Sequence, residues 1–251
     1  MQQNLIKLTV ALPIWNSKTI AWLALEGLCK QKVNVPWELL IAEEQINEFG
    51  QDAVLKYVRR LRKAGCVSVR YLSLQYKITL PNKWQYLMEH RAESSQAFIF
   101  QAADCYSEPN RLQSTYDAMQ DGYDWVQNRC GYFYSFHYYN CLKYDQATFG
   151  KGCKTGLNTA VSTDILYRMR SSFQESGIDN LLLKVLAPQN PLWREGDILG
   201  GINTDGLNNI SYARRHYFYK PTPPFNATEI AIHDIVPKLI ADRMVKTEGR
   251  K

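Results

Sequence analysis

The chain has 251 residues, of which 45% are hydrophobic and 22% charged, so it can bury a sizeable core. Its 30 Lys and Arg against 24 Asp and Glu give a net charge of +6 without a dense basic block. This excess of positive charge does not require a nucleic-acid groove. It is equally compatible with binding of phosphorylated small molecules or of an anionic membrane face. No apolar run is long enough to cross a bilayer, and no signal peptide is expected at the N-terminus.

The six cysteines are scattered, with no CxxC pair and no Cys/His cluster at the spacing of zinc ligands. They are therefore predicted to be free thiols, which are typical of a reducing compartment, and we expect a cytoplasmic protein. The basic C-terminal residues Arg243, Lys246, Arg250 and Lys251 leave two interpretations open. They form either a solvated helix end or a peripheral contact with the cytosolic face of a membrane.

The first half of the chain alternates apolar runs with amphipathic ones. The apolar runs predict strands at Leu8–Pro13, Trp37–Ala42, Val67–Leu74 and Ala97–Phe100. The amphipathic runs predict a helix capped by Asn16 or Ser17 and further helices at Asp52–Ala64, Asn82–Ser94 and Glu108–Gln120. The helix at Asp52–Ala64 is expected to bury Val54, Leu55, Val58 and Leu61. The alternation favours an α/β fold with a mostly parallel, Rossmann-like central sheet and helices on both faces.

The alternation stops after about residue 125. The aromatic-rich run Trp125–Tyr139 predicts a strand whose rings either fill the core or offer a platform for a sugar. Beyond it the sequence predicts a loop, two helices, a Gly/Asn-rich loop and a final helix, at about Phe149–Thr159, Thr163–Arg170, Asp179–Ala187, Gly196–Asn209 and Thr228–Val245. No internal repeat or low-complexity linker divides the chain, so we expect one domain with an irregular second half.

Acidic residues follow two of the predicted strands. Glu43 and Glu44 end the second strand, and Asp104 lies just beyond the fourth. Ligands of open parallel sheets bind beyond the carboxyl ends of the strands, where carboxylates can hold a divalent cation that bridges a diphosphate. Solvated loop acids would give the same pattern. Neither GxGxxG after the first strand nor GxxxxGK[ST] occurs, which disfavours Rossmann dehydrogenases and P-loop enzymes and favours a metal on Asp104.

Three segments resemble the family-2 glycosyltransferases of GT-A fold. Leu8–Asn16, LTVALPIWN, is similar to their first strand, which typically reads V-S-V-I-I-P-x-Y/W-N. Trp37–Glu44, WELLIAEE, is similar to their W-E-L-I-V-V-D-D. Phe98–Leu112 resembles their strand with the D-x-D motif and the E-P-D-R-L that follows it. The resemblance covers residues 6–125 well and residues 150–190 loosely.

The resemblance implies a single GT-A domain over 1–251, with a nucleotide-sugar half at 1–125 and an acceptor half at 126–251. It implies an inverting glycosyltransferase that moves a sugar from a nucleotide-diphosphate donor, expected to be a UDP-sugar, to a hydroxyl of a glycan or glycoconjugate. The implied cofactor is a divalent cation, Mn²⁺ or Mg²⁺. No nucleic-acid partner is expected, and the oligomeric state is not predicted.

The resemblance also assigns residues to the nucleotide. They are Pro13, Trp15, Asn16, Glu43, Lys83 and Ala103. Trp15 is expected beside the base, and Glu43 takes the place of an aspartate that contacts uracil. Lys83 is expected near the position at which the family carries a basic residue that approaches the diphosphate. A solvated lysine at the start of a helix fits the sequence equally well.

The metal and the base are assigned in the same way. Asp104 takes the place of the last Asp of D-x-D, whereas the first falls on Ala102, so the usual ribose contact is absent. His216 is proposed as a third ligand ahead of His137 and His233, although each histidine also fits a structural role. Asp179 matches the general base that takes the proton of the acceptor hydroxyl, with a helix cap as the alternative.

Two other functions stay open. A non-catalytic module that binds a nucleotide sugar or a glycan would explain the missing acid at Ala102. A sugar nucleotidyltransferase could use a similar sheet, but such enzymes usually carry a Gly-rich, basic loop after the first strand. Pro13–Asn16 is not such a loop.

Overall fold

The structure is a computed structural model that describes residues 5–15, 17–44, 49–129, 132–135, 140–144, 159–169, 193–199, 201–205, 227–231 and 237–246. Within these ranges the strands are β1 Leu8–Ile14, β2 Trp37–Glu44, β3 Cys66–Leu74, β4 Ala97–Phe100, β5 Tyr106–Ser107, β6 Trp125–Arg129, β7 Tyr132–Ser135, β8 Asn140–Tyr144, β9 Thr159–Ser162, β10 Trp193–Leu199, β11 Gly201–Asp205 and β12 Ala227–Ile230. The helices are α1 Trp22–Leu28, α2 Gln51–Lys63, α3 Leu80–Glu89, α4 Arg111–Gln120, α5 Thr163–Met169 and α6 Lys238–Lys246. None of the described helices is long and apolar enough to span a bilayer.

The main sheet has seven strands in the order β10-β6-β9-β4-β1-β2-β3. Six strands run in one direction, and β9 runs antiparallel to its neighbours β4 and β6. The predicted α/β fold with a mostly parallel central sheet is confirmed. Because β1 lies between β4 and β2, with Ile14 paired to Glu43, the carboxyl ends of these strands lie side by side.

The two faces of the sheet are covered by different helices. Leu8, Val10, Leu12 and Ile14 of β1 join a core cluster to which α1, α2, α4 and α6 contribute. Ala11 joins the second cluster, which contains residues of α3 and α5. This division follows from the pleat, since successive side chains of a strand point to opposite faces. The continuous apolar run of β1 is therefore buried on both sides, as is typical of a central parallel strand.

A second sheet has five strands in the order β12-β8-β7-β11-β5. Its strands pair antiparallel except for β7 and β11, which are parallel. The predicted aromatic strand Trp125–Tyr139 is therefore not one strand, because β6 belongs to the main sheet and β7 to this one. Tyr134 of β7 is fully buried in the first core cluster, which supports the core interpretation at this position.

Two details of the first half were predicted wrongly. Helix α1 begins at Trp22, because the Ser17 carbonyl accepts from the amides of Ile20 and Ala21 in a preceding turn. The Ser17 hydroxyl donates to the Trp15 carbonyl instead of capping the helix.

In α2 the predicted inward residue Leu55 is 56% exposed, and Tyr57 is buried instead. Each residue turns a helix by about 100°, so Tyr57 shares the face of Val54 and Leu61 and Leu55 does not.

The second half differs more from the prediction. The expected Gly/Asn-rich loop at Gly196–Asn209 contains β11 and the end of β10, and its first glycine lies at a register shift against β6. The expected helix at Thr228–Val245 begins as strand β12, which pairs with β8, and α6 starts only after Pro237. The helix expected at Thr163–Arg170 is present as α5. The segments 151–158 and 179–187 lie outside the described residues.

The approach of α1 to β5 depends on a glycine. A Cβ atom on Gly27 would lie 2.5 Å from the backbone nitrogen of Ser107. Gly27→Ala should therefore destabilise the protein by about 1–3 kcal/mol in urea denaturation, because backbone cannot move aside as a flexible side chain can. An exposed Gly→Ala change within a helix normally stabilises it. A gain in stability would thus contradict the close approach.

Candidate active site

The carboxyl ends of β1, β2, β3 and β4 form one edge of the main sheet, which we call the carboxyl edge. Trp15 follows β1, Glu43 and Glu44 end β2, Lys77 follows β3, and Asp104 follows β4. These residues come from four separate parts of the chain. The parallel pairing of the strands places them along the same edge, where open α/β sheets bind their ligands.

Trp15 and Lys77 form a cation–π pair at this edge. The ammonium nitrogen of Lys77 lies 5.1 Å from the centroid of the Trp15 ring. Trp15 is partly buried and Lys77 is exposed. Together they present an aromatic surface and a positive charge, which suit a base and a phosphate respectively. Lys77 was not predicted, because no sequence pattern distinguishes it from other exposed lysines.

Glu43 is fully buried, and its carboxylate accepts three hydrogen bonds. The Tyr71 hydroxyl donates to it at 2.7 Å, and the amides of Phe49 and Gly50 donate at 2.6 and 3.0 Å. Since Gly50 is the N-cap of α2, this carboxylate supplies an acceptor and a negative charge at the start of that helix. Any contact of Glu43 with a base would add to these bonds, and that contact stays a prediction.

Glu44 and Lys83 form an ion pair inside the protein. Their atoms Oε2 and Nζ are 2.5 Å apart, and the side chains are 1% and 0% exposed. The Lys83 ammonium also donates to the Ile14 carbonyl at 2.8 Å, so α3 is joined to the ends of both β1 and β2. Burial lowers the pKa of Lys83, while the bond to Glu44 opposes this shift. The solvated alternative for Lys83 is wrong, because the lysine lies beneath the carboxyl edge.

Asp104 lies in a turn between β4 and β5. The Cys105 amide donates to the Ala102 carbonyl at 3.3 Å, so Ala103 and Asp104 are the two central residues of this turn. Ala102 and Ala103 are buried, whereas Asp104 is partly exposed. The Cys105 thiol lies 3.5 Å from Asp104 Oδ1. The turn therefore presents the carboxylate of Asp104 at the carboxyl edge.

The ligand atoms that this turn offers fit a cation that binds the protein and the substrate phosphates at the same time. No group of three or more His, Cys, Asp or Glu side chains that could hold a metal occurs among the described residues. Asp104 nevertheless offers a hard oxygen ligand, and Mg²⁺ is commonly held by one or two carboxylates together with substrate phosphates and water. The predicted site residues Asn16, Asp179 and His216 lie outside the described residues, as do His137 and His233.

A buried polar network lies behind the Asp104 turn. Arg111 is 1% exposed and donates to the Gln101 side-chain oxygen at 2.6 Å and to the Phe100 carbonyl at 2.6 Å. Gln101 is fully buried, and its amide nitrogen donates to the carbonyls of Ala102 and Cys105. Neither residue was predicted from the sequence. Arg111 stands in the EPNRL segment at the start of a helix, where a charged side chain is normally solvated.

A groove of about 410 Å³ opens beside β3 and α3. Its lining consists of Ser73, Leu74, Gln75, Tyr76, Ile78, Asn82, Gln85, Tyr86 and Glu89. No Lys or Arg occurs among the described residues of this lining, and Glu89 carries a negative charge. The described lining of the groove is therefore poorly suited to a diphosphate, which the exposed Lys77 beside Trp15 would attract more readily.

Comparisons with known proteins identify the fold. No protein-family profile matches the sequence, and no curated protein sequence matches it. Among solved structures, S. aureus TarS 1–349 matches with a TM-score of 0.59 and 15% identity over 79% of this chain and 60% of TarS 1–349. TarS is a GT-A glycosyltransferase. This chain has a GT-A fold.

Two further structures of this fold were solved with ligands. TarS 1–349 in complex with UDP matches with a TM-score of 0.58 and 14% identity, over 87% of this chain and 74% of that one. The Pyrobaculum calidifontis mannosyltransferase PcManGT, in complex with GDP-Man and Mn²⁺, matches with a TM-score of 0.52 and 10% identity, over 84% of this chain and 59% of that one. The fold that the three sequence segments implied is thus confirmed.

Proposed function

We propose that the protein is a glycosyltransferase that moves a sugar from a nucleotide-diphosphate donor, a UDP-sugar, to a hydroxyl of a glycan or glycoconjugate. The observation that carries the proposal is the carboxyl edge of a GT-A sheet, which combines an aromatic ring, an exposed lysine and a partly exposed aspartate. The ligands of the similar structures, UDP in one and GDP-Man with Mn²⁺ in the other, support a donor of this class.

Each residue of the carboxyl edge has a proposed role. Trp15 contacts the base, and Lys77 attracts the negatively charged donor. Asp104 is the protein ligand for Mn²⁺ or Mg²⁺, which when bound stabilises the charge that develops on the departing diphosphate. Pro13, Asn16 and Ala103 are proposed to line the nucleotide pocket, with His216 as a further metal ligand. Glu43 and Lys83 are proposed to support this pocket from inside, through the bonds that hold α2 and α3 against the strand ends.

The transfer is proposed to occur in one displacement with inversion. The acceptor hydroxyl attacks the anomeric carbon, the bond from that carbon to the diphosphate oxygen breaks, and Asp179 takes the hydroxyl proton. Residues 126–251 are proposed to select the acceptor within a single domain over 1–251. The assignment of Asp179 rests on the resemblance of its segment alone.

A cytoplasmic location is proposed from the state of the thiols. Cys29 and Cys66 are free thiols, and burial raises the pKa of each to about 12. Free and unreactive thiols are compatible with a reducing compartment. A membrane contact through α6 is proposed to use the exposed residues Lys238 and Leu239, whereas the Arg243 guanidinium lies 4.0 Å from the Trp22 ring centroid.

A non-catalytic nucleotide-sugar-binding module is the second candidate. The observation that favours it is the buried Ala102, which stands where the D-x-D motif has its first carboxylate. Such a module would bind the donor but would neither hydrolyse nor transfer its sugar. Turnover of any UDP-sugar by the purified protein would exclude this candidate.

Calorimetric titration with UDP, with and without Mn²⁺, tests the proposal, with GDP and TDP as controls for the base. Binding of UDP that requires Mn²⁺ is the expected result, because one carboxylate and the diphosphate would share the cation. Binding of GDP or TDP in preference to UDP would change the proposed donor. If none of the three nucleotides binds under either condition, the transferase proposal is wrong.

A further inference from the structure

The turn that carries Asp104 contains little regular backbone pairing. Between the end of β4 at Phe100 and the start of β5 at Tyr106, the Gln101 amide donates to the Ala11 carbonyl and the Cys105 amide to the Ala102 carbonyl. Among the described residues, side chains supply further hydrogen bonds to the carbonyl groups of this segment. The position of the Asp104 turn therefore depends in part on the side chains that bind these carbonyl groups.

The Gln101 side chain spans this segment from within. Its Nε2 donates to the carbonyls of Ala102 and Cys105 at 2.8 and 2.9 Å, the two residues that flank the centre of the turn. Its Oε1 accepts from Ser107 Oγ at 2.5 Å and from Arg111 at 2.6 Å. Two donors and two acceptor positions are thereby used, which is the full capacity of a carboxamide.

Arg111 completes the arrangement from the first residue of α4. One of its terminal nitrogens donates to Gln101 Oε1 and to Ser107 Oγ at 2.9 Å, and the other donates to the Phe100 carbonyl at 2.6 Å. Gln101, Ser107 and Arg111 are each at most 1% exposed. A network that is buried and extensively hydrogen-bonded restricts its members to one arrangement.

We propose that Gln101 and Arg111 are positioning residues, which hold the Asp104 turn in the conformation that binds the cation shared with the donor. The inference rests on the proposed function. Neither residue contacts the cation or the sugar. They act by fixing the three carbonyls of Phe100, Ala102 and Cys105, so that the carboxylate needs no rearrangement when the cation and the diphosphate arrive.

The decisive variant is Gln101→Glu, which keeps the size of the side chain. Its carboxylate still accepts from Ser107 and Arg111, so the buried guanidinium keeps its acceptor. It cannot donate, so it repels the carbonyls of Ala102 and Cys105 and distorts the turn. The concentration of Mn²⁺ needed for half-maximal UDP binding is expected to rise about 10- to 100-fold, the usual effect of removing a partner that orients a metal ligand.

Ser107→Ala is a milder second variant, because it removes one hydroxyl shared by Gln101 and Arg111 and leaves both side chains in place. It should raise the half-maximal Mn²⁺ concentration several-fold. The matched control is Glu38→Gln, at the opposite end of β2. Glu38 is 1% exposed and accepts from Thr9, Ala92 and Arg70 at 2.8, 2.5 and 2.7 Å. This control should lower the melting temperature without changing the Mn²⁺ requirement.

The outcomes separate the inference from the function on which it rests. Wild-type protein that binds no UDP with Mn²⁺ would overturn both. Wild-type protein that binds UDP with Mn²⁺, while Gln101→Glu and Ser107→Ala keep the wild-type Mn²⁺ requirement, would overturn the inference alone. An equal rise in the Mn²⁺ requirement of Glu38→Gln would also overturn it, because general loss of stability would then explain the effect.

Discussion

Asp104→Asn should lose the UDP binding that requires Mn²⁺, and its transfer rate should fall by at least about 10²-fold. The substitution keeps the size of the side chain and removes the negative charge that holds the cation. A metal ion supplies several kcal/mol of charge stabilisation in the transition state, and each 1.4 kcal/mol corresponds to about a factor of ten in rate. The measurements are calorimetry with UDP, with and without Mn²⁺, and initial rates with a UDP-sugar.

Asp124→Asn is the matched control for this change. Asp124 is also a partly buried aspartate, but it precedes β6 and so lies at the opposite edge of the sheet, where it accepts from the Ser162 hydroxyl at 3.2 Å. It should leave UDP binding and its metal dependence unchanged. If Asp104→Asn binds UDP with the same dependence on Mn²⁺ as wild-type protein, Asp104 is not the metal ligand.

Asp179→Asn should give the opposite pattern to Asp104→Asn. Donor binding and its metal dependence are expected to persist, because the proposed base contacts the acceptor hydroxyl and not the diphosphate. Transfer should fall by about 10²- to 10⁴-fold, the usual contribution of a positioned base. Normal transfer by this variant would show that another group takes the proton, while leaving the assignment of Asp104 intact.

Lys83→Met should destabilise the protein by about 3–5 kcal/mol, the usual cost of removing one partner of a buried ion pair. It leaves Glu44 charged and buried, with its Oε1 already lacking a hydrogen-bond partner among the described residues. The Ile14 carbonyl also loses its donor. Urea denaturation at neutral pH measures the loss. Lys83→Met combined with Glu44→Leu should recover most of it, because neither charge then remains in the core.

An exposed pair provides the control for Lys83→Met. Lys238 contacts Asp242 at 3.1 Å on α6, and its side chain is 80% exposed. Lys238→Met should change the free energy of unfolding by no more than about 0.5 kcal/mol, since exposed pairs contribute little. If the double variant is no more stable than Lys83→Met alone, the loss comes from packing and from the bond to Ile14, and the uncompensated charge of Glu44 is not its cause.

The amino-acid sequence by itself determined the order of elements from β1 to α4, except for the short strand β5, and the edge at which a ligand would bind. The apolar and amphipathic periodicity that predicts these elements is a local signal. Because parallel strands end at the same edge of a sheet, the carboxyl edge follows as soon as the strands are recognised. Trp15 and Asp104 could therefore be assigned to the carboxyl edge before any coordinates were known.

The tertiary structure alone decided which polar residues are buried and what they contact. Lys83 and Glu44 are 39 residues apart, and Tyr71 is 28 residues from Glu43. Such pairs depend on strand order and register, which no local pattern encodes. Arg111 and Lys83 both stand in the first turn of a helix, where a charged side chain is usually solvated, yet both are buried. The strands β10 to β12 were not predicted from the sequence for the same reason. Their glycines and polar residues adopt a strand conformation only through pairing with strands that are far away in the sequence.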